Sequence, residues 1–280
     1  MHKAVLAVAL AAALSTGVPA LAADTDPGDA GHRGLKVTGL TDGQRLVQFR
    51  ASSPQNVTSI GTVTGLDGDT ELVGIDYRVQ DGRLYGVGDA GGVYTLGTSN
   101  AVATKVSQLS VALQGTAFGV DFNPAADRLR IISDTGQNLR HDVNVATGGT
   151  VVDGTLTTPP ATTPALGVTG AAYTNNDLDA ATATSLFDID TTNNTVVLQS
   201  PANAGTLAPT GNLGVDAGPS AGFDIYFSPK DGTNRGFAAL ATGGSYRFYK
   251  VNLLTGEADS AGAFPSGQQV FDVALPLNQK

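Results

Sequence analysis

The chain repeats itself. Five short apolar segments share one character: LVGIDY (72–77), AFGVDF (117–122), VTGAAY (168–173), AGFDIYF (221–227) and VFDVAL (270–275). Aligned at Asp76, Asp121, Ala172, Asp224 and Asp272, they recur roughly 45 to 52 residues apart. Behind the first two comes a turn and a second strand. Asp81-Gly82 precedes RLYGVG (83–88), and Ala126-Asp127 precedes RLRIIS (128–133). Gly91-Gly92 and Thr135-Gly136 then mark another reversal.

A second register crosses the first. LVQFRASS (46–53), VYTLGTSN (93–100), HDVNVATG (141–148), FDIDTTNN (187–194) and YKVNLLTG (249–256) read as third strands running into turns. Fourth strands follow at 57–63, 103–109, 149–155, 205–211 and 257–263, the last, EADSAGA, being the weakest in pattern. The wider gap before YKVNLLTG implies inserted loop material around 209–222 and 228–235.

Two interleaved registers of this period describe four-stranded units arranged around an axis. The expected fold is an all-β propeller of five four-stranded blades over residues 34–277. The chain opens mid-unit at GLKVTGL (34–40) and ends on the lone segment VFDVAL, so pairing of the N- and C-terminal strands would close the ring without an open edge. Six blades would need shorter units than the registers allow. A long sandwich or a β-solenoid is the competing arrangement. The composition agrees with strands and tight turns: 36 of the 280 residues are Gly and only 15% are charged.

The N-terminus reads as a targeting segment. His2 and Lys3 precede the apolar run Ala4–Leu14, and Ala20-Leu21-Ala22 offers a small-x-small cleavage pattern. Residues 1–22 are expected to be a signal peptide and 23–33 a flexible lead-in, giving a secreted or periplasmic protein. The run is too short to span a bilayer, and no later segment is long and apolar enough. There are no Cys residues, which excludes disulfides, thiolate catalysis and Cys-ligated metals. A net charge of -9 speaks against nucleic acid as a partner.

Strand alternation puts Gly74 with Asp76, Gly119 with Asp121 and Gly222 with Asp224 on common sides. Glycine permits close approach of backbone near an axis. Asp76, Asp121, Asp224 and Asp272 therefore form the first candidate constellation. Their hard oxygens suit a cation such as Ca²⁺, the candidate cofactor; alternatively each pins one blade to the next by accepting hydrogen bonds. Ala172 leaves the ring of acids incomplete.

The second candidate is FNPAADRLRIISDTGQNLR (122–140). Arg128 and Arg130 share a strand face, and Gln137, Asn138 and Arg140 follow the Gly136 turn. Such guanidinium groups either clamp a carboxylate, phosphate or sugar, or pair with Asp121, Asp127 or Asp134. The oxygen-rich loop Asn175–Asp179 lacks the glycine of a Ca²⁺-binding loop and reads as solvated. TLTTPPATTPALG (155–167) reads as a loop or an extended crossing between blades. His32 falls in the lead-in and His141 reads as a surface or turn residue. No nucleophile elbow, zinc helix or phosphate loop is present.

The stretches GIDY…DGRLYGV (74–87), 119–140, AYTNN (172–176), FDIDTTNNTVVLQSPANAGTL (187–207) and NLGVDA (212–217) resemble a bacterial exported family of unknown function, the one numbered 4394. The resemblance spans about 36–276. It implies a propeller-like organisation and carries no catalytic residues. The polar positions it singles out for ligand binding are Asp121, Asn123, Arg128, Arg130, Gln137, Asn138 and Arg140. The leading expectation is a non-catalytic propeller that binds an extracytoplasmic protein or glycan on one ring face. A carboxylate-dependent glycan lyase or hydrolase, with or without Ca²⁺, and a purely structural envelope protein are the alternatives.

Overall fold

The computed structural model describes residues 34–179 and 181–279. The expected signal peptide and lead-in lie outside the described residues. The strands form five four-stranded antiparallel sheets. Blade I holds β1 (Lys36–Thr41), β2 (Arg45–Arg50) and β3 (Ser53–Thr62). Blade II is β4 (Leu72–Tyr77), β5 (Leu84–Gly88), β6 (Gly92–Leu96) and β7 (Ala103–Gln108). Blade III is β8 (Phe118–Asn123), β9 (Arg128–Ser133), β10 (Asn138–His141) and β11 (Thr150–Val152). Blade IV is β12 (Val168–Tyr173), β13 (Leu186–Asp190), β14 (Thr195–Gln199) and β15 (Leu207–Asn212). Blade V is β16 (Ala221–Ser228), β17 (Thr233–Thr242), β18 (Ser245–Val251) and β19 (Ala258–Ala263). The last strand, β20 (Val270–Ala274), returns to blade I and pairs with β1.

The innermost strands touch in the cycle β20, β4, β8, β12, β16 and back to β20, so the fold is a five-bladed propeller. The expected closure is present: Thr38 pairs with Ala274 and Gly39 with Val273. Gln279 reinforces it from the chain end, accepting the Lys36 N–H and donating to the Lys36 carbonyl.

The core lies between blades. Five apolar clusters fill the five seams, one each. This follows from alternation: each inner strand presents side chains to both neighbouring blades, so both faces are buried and both are apolar. The closing seam between blades V and I is aromatic. Phe49 meets Phe248 edge-on at 5.0 Å, and Phe237 stacks on Phe248 at 5.6 Å.

First-strand glycines let neighbouring blades approach. A Cβ on Gly119 would lie 2.7 Å from the Ala171 nitrogen, and one on Gly222 would lie 2.4 Å from the Asp272 Cα. No side chain fits there.

Three expectations are corrected. FDID is the second strand of blade IV, not its third; TVVLQ (195–199) takes the third place. The cause is the long 174–185 connection, which replaces the short Asp-Gly turn found in blade II. SPKDGTNR is not inserted loop: β16 and β17 are long strands, paired out to Ser228 and Thr233 across a short turn. Asp272 is not level with Asp76. Asp76 pairs opposite Tyr85 and Ala274 opposite Thr38, within the like motifs Leu84-Tyr85-Gly86 and Val37-Thr38-Gly39. Ala274 therefore occupies the aspartate level, and Asp272 stands two residues earlier, where the other blades have Gly74, Gly119, Gly170 and Gly222. EADSAGA does form the fourth strand of blade V. The 155–167 tract crosses from blade III to blade IV, Thr157 bridging to Thr206.

Candidate functional site

Two places on the ring are candidate sites: the axis, and a groove on one face.

At the axis, the aspartate level of the five inner strands reads Asp76, Asp121, Ala172, Asp224 and Ala274. One carboxylate oxygen from each of Asp76, Asp121 and Asp224 lies within 4.8 Å of the others. The three side chains are 1–4% exposed. Each uses one oxygen to hold the next blade. Asp76 Oδ2 accepts the Phe122 N–H, Asp121 Oδ1 that of Tyr173, and Asp224 Oδ2 that of Leu275. Asp121 Oδ2 and Asp224 Oδ1 are buried without a hydrogen-bond partner. Burial, followed by the charges of its fellow acids, holds the carboxyls of Asp76 and Asp121 well above the usual range. Burial pushes Asp224 up to about 6, opposed by the N–H groups of Leu275 and Ile225.

Asp272 stands apart from the three. Its Oδ2 accepts the Ile75 N–H at 2.7 Å and its Oδ1 accepts its own Val273 N–H. Oδ2 joins blade I to blade II, and Oδ1 bonds within β20 itself. Blade IV, which has Ala172, uses asparagines from the loop expected to be solvated. Asn176 donates to the Ile225 carbonyl, and Asn175 and Asn234 bond each other across the same seam.

The residues singled out in 119–140 scatter by role. Arg130 is buried between blades III and IV, donating to Tyr173, Asn138, Asp153 and Asn203. Arg140 shares Asp153, so Arg130, Asn138 and Arg140 are brought together around one carboxylate. Arg128 pairs with Asp142 at 3.0 Å. None of these arginines pairs with Asp121, Asp127 or Asp134. Asp127 instead accepts from Nε and Nη2 of Arg78, and Asp134 caps Thr116. Asn123 Oδ1 accepts from Ala125 and Ala126, and Gln137 bonds the 112–114 backbone.

His141 is buried, a correction to its reading as a surface residue. Its Nε2 is 2.9 Å from Ser107 Oγ and its Nδ1 is 3.0 Å from Thr150 Oγ1. The pair has the spacing of a nucleophile and base, but both residues are sealed inside and a hydroxyl stands where an orienting acid would.

The groove lies between blades I and II and was missed in the sequence, because its walls come from strands and turns far apart along the chain. Its volume is about 800 Å³, and its lining includes Lys36, Gln48, Tyr77, Arg83, Ser99 and Asn100. A recess of about 330 Å³ shares Lys36 and Gln48 and adds Arg50 and Asn56. No Asp or Glu is among the described residues lining either. Tyr77 ties the groove to the axis: it follows Asp76 on β4, and its hydroxyl bonds Thr38 Oγ1 at 3.0 Å.

The family model described as "Domain of unknown function (DUF4394)" matches residues 45–274. The chain belongs to this family. DUF4394 thus includes a five-bladed propeller whose terminal strands share a blade. No curated protein matches the chain. Among solved structures, a Bacteroides thetaiotaomicron protein of unknown function is similar at 13% identity, covering 88% of this chain and 68% of that one, with a TM-score of 0.45. The glutaminyl cyclase of Myxococcus xanthus is 15% identical, with coverages of 84% and 83% and a TM-score of 0.40. An auxiliary nutrient binding protein of Bacteroides ovatus is 14% identical, with coverages of 77% and 56% and a TM-score of 0.43. Likeness at this level transfers no function to the DUF4394 chain. No helix among the described residues is long and apolar enough to cross a membrane.

Proposed function

We propose that this is an exported, non-catalytic binding propeller whose groove between blades I and II receives an acidic glycan. The observation that carries the reading is the groove's charge. In a chain of net charge -9, the groove and its recess collect Lys36, Arg50 and Arg83 with amide and hydroxyl side chains, and no described carboxylate. Its volume is within the range of small-ligand sites, and guanidinium groups suit the carboxylates of a uronic acid.

Carboxylate catalysis fits less well. Glycan hydrolysis needs two acids flanking a cleft that admits the sugar. The clustered acids here are buried at the axis, and the groove offers none.

Calorimetric titration with a hexamer of galacturonate, against a neutral glucose hexamer, tests the reading. The acidic sugar should bind and the neutral one should not. The double substitution Lys36→Ala with Arg83→Ala should weaken binding by about tenfold or more, with the melting temperature unchanged. Equal binding of both sugars, or no loss in the double variant, would overturn it.

A further inference from the structure

We infer that the propeller axis holds one Ca²⁺-class cation, bound by Asp76, Asp121 and Asp224. This site is separate from the groove and stands or falls independently of it.

Three observations converge. The first is distance. Oxygens all within 4.8 Å of one another leave a central point no more than about 2.8 Å from each. Contraction of a few tenths of an ångström reaches the 2.3–2.6 Å bonds of Ca²⁺, whereas Mg²⁺ needs a larger collapse. The second is the unfilled bonding capacity. Asp121 Oδ2 and Asp224 Oδ1 are buried and unpartnered, although buried acceptors are otherwise paired throughout most folds. In each, the other oxygen is the one that fastens the neighbouring blade. The third is the level itself. The remaining two blades contribute Ala172 and Ala274 there, so no cationic side chain from an inner strand supplies the missing counter-charge.

Three acids on one buried level resist ionising together, and a divalent cation supplies the charge that lets them do so. The blades meet at this level, so the ion would tie blades II, III and V together. Asp272, which stands two residues from this level and bonds a backbone N–H with each oxygen, is not one of the clustered ligands.

The test begins with protein unfolded and refolded in EDTA, because acids this enclosed release an ion slowly. Titration with CaCl₂ should then show one ion per chain. Saturating Ca²⁺ at a hundredfold over Kd should raise Tm by about 5–10 °C, and MgCl₂ should do less. Asp121→Asn and Asp224→Asn keep the oxygen that accepts the neighbouring N–H, so both variants should fold. In EDTA they should melt above the wild-type chain at pH 7, since one buried acid is gone, yet they should lose the Ca²⁺ response. Asp272→Asn serves as the control and should keep Ca²⁺ affinity within about threefold. The site is overturned if refolded protein takes up no ion and shows no Tm response to Ca²⁺. It is equally overturned if the Asp121 and Asp224 variants respond to Ca²⁺ as the wild type does.

Discussion

Asp272 Oδ2 accepts the backbone N–H of Ile75 across 197 positions of sequence, at 2.7 Å. The bond joins the last strand of the chain to the first strand of blade II and is buried. Asp272→Ala leaves the Ile75 N–H without a partner inside the protein. The expected cost is about 1–3 kcal/mol, and Asp272→Asn should recover a large part of it. Urea unfolding of both variants measures this; an alanine variant as stable as wild type would refute a pinning role.

Close packing at the axis should be equally intolerant. Gly222→Ala places a methyl group 2.4 Å from the Asp272 Cα and 2.5 Å from the Phe271 carbonyl oxygen. Neither is a flexible side-chain end, so a blade must move. A loss of about 2 kcal/mol or more is expected, and loss of folding is an allowed extreme. Gly267→Ala, with nothing within 4 Å, should unfold within about 0.5 kcal/mol of wild type.

Asp188 is a buried acid away from the axis. Neither of its oxygens has a hydrogen-bond partner, and burial raises its carboxyl well above the usual range, with Arg130 the charged group opposing this. The folded protein therefore holds a proton that the unfolded chain releases above about pH 3.9. Its contribution is complete below that pH and is lost as pH rises toward the raised folded value. Asp188→Asn should accordingly melt higher than wild type at pH 7, and the gap should close near pH 3. Melting curves across pH decide it; a destabilised variant at pH 7 would contradict the assignment.

Asp127 should show the opposite sign. Its two oxygens receive the Arg78 guanidinium, which holds its carboxyl below the usual range. That stabilisation is present above about pH 3.9 and fades as pH falls through the lowered folded value. Asp127 sits at φ 50°, a conformation asparagine accepts, so Asp127→Asn isolates the charge. A loss of about 1–2 kcal/mol at pH 7 is expected, shrinking in acid.

Binding in the groove should weaken with salt. Lys36 and Arg83 meet solvent there, and exposed charges are screened within about 8 Å at physiological ionic strength. Affinity for the acidic hexamer should fall several-fold between 50 and 500 mM NaCl. A salt-independent affinity would point to contacts other than these cations.

The fold was legible because each inner strand keeps one short apolar word, in three of them with glycine and aspartate two apart. The glycine–aspartate pair survives in three blades and half of it in the other two, which is enough to count them and to see that the ends meet. It failed in detail where the connection lengths changed: the 174–185 loop displaced FDID by one strand. It also failed at Asp272, where a shared letter concealed a two-residue offset that only the pairing of Thr38 with Ala274 exposes. Partners such as Arg130 with Asp153 and Arg78 with Asp127 are set by packing across seams, and chain spacing carries no trace of them. The groove was invisible for the same reason: Lys36 and Arg83 become neighbours only when blades I and II do.

The seating of β20 at the inside of blade I has a consequence for synthesis. That innermost place is filled by a strand made after its partners β1 to β3 and after the other four blades. A nascent chain lacking Val270–Ala274 exposes the unpaired backbone edge of β1 and leaves the Phe49 cluster without Val270 and Val273. The ring is thus built to lock late, and a chain halted before Val270 would be an open arc whose free edge invites association with another chain.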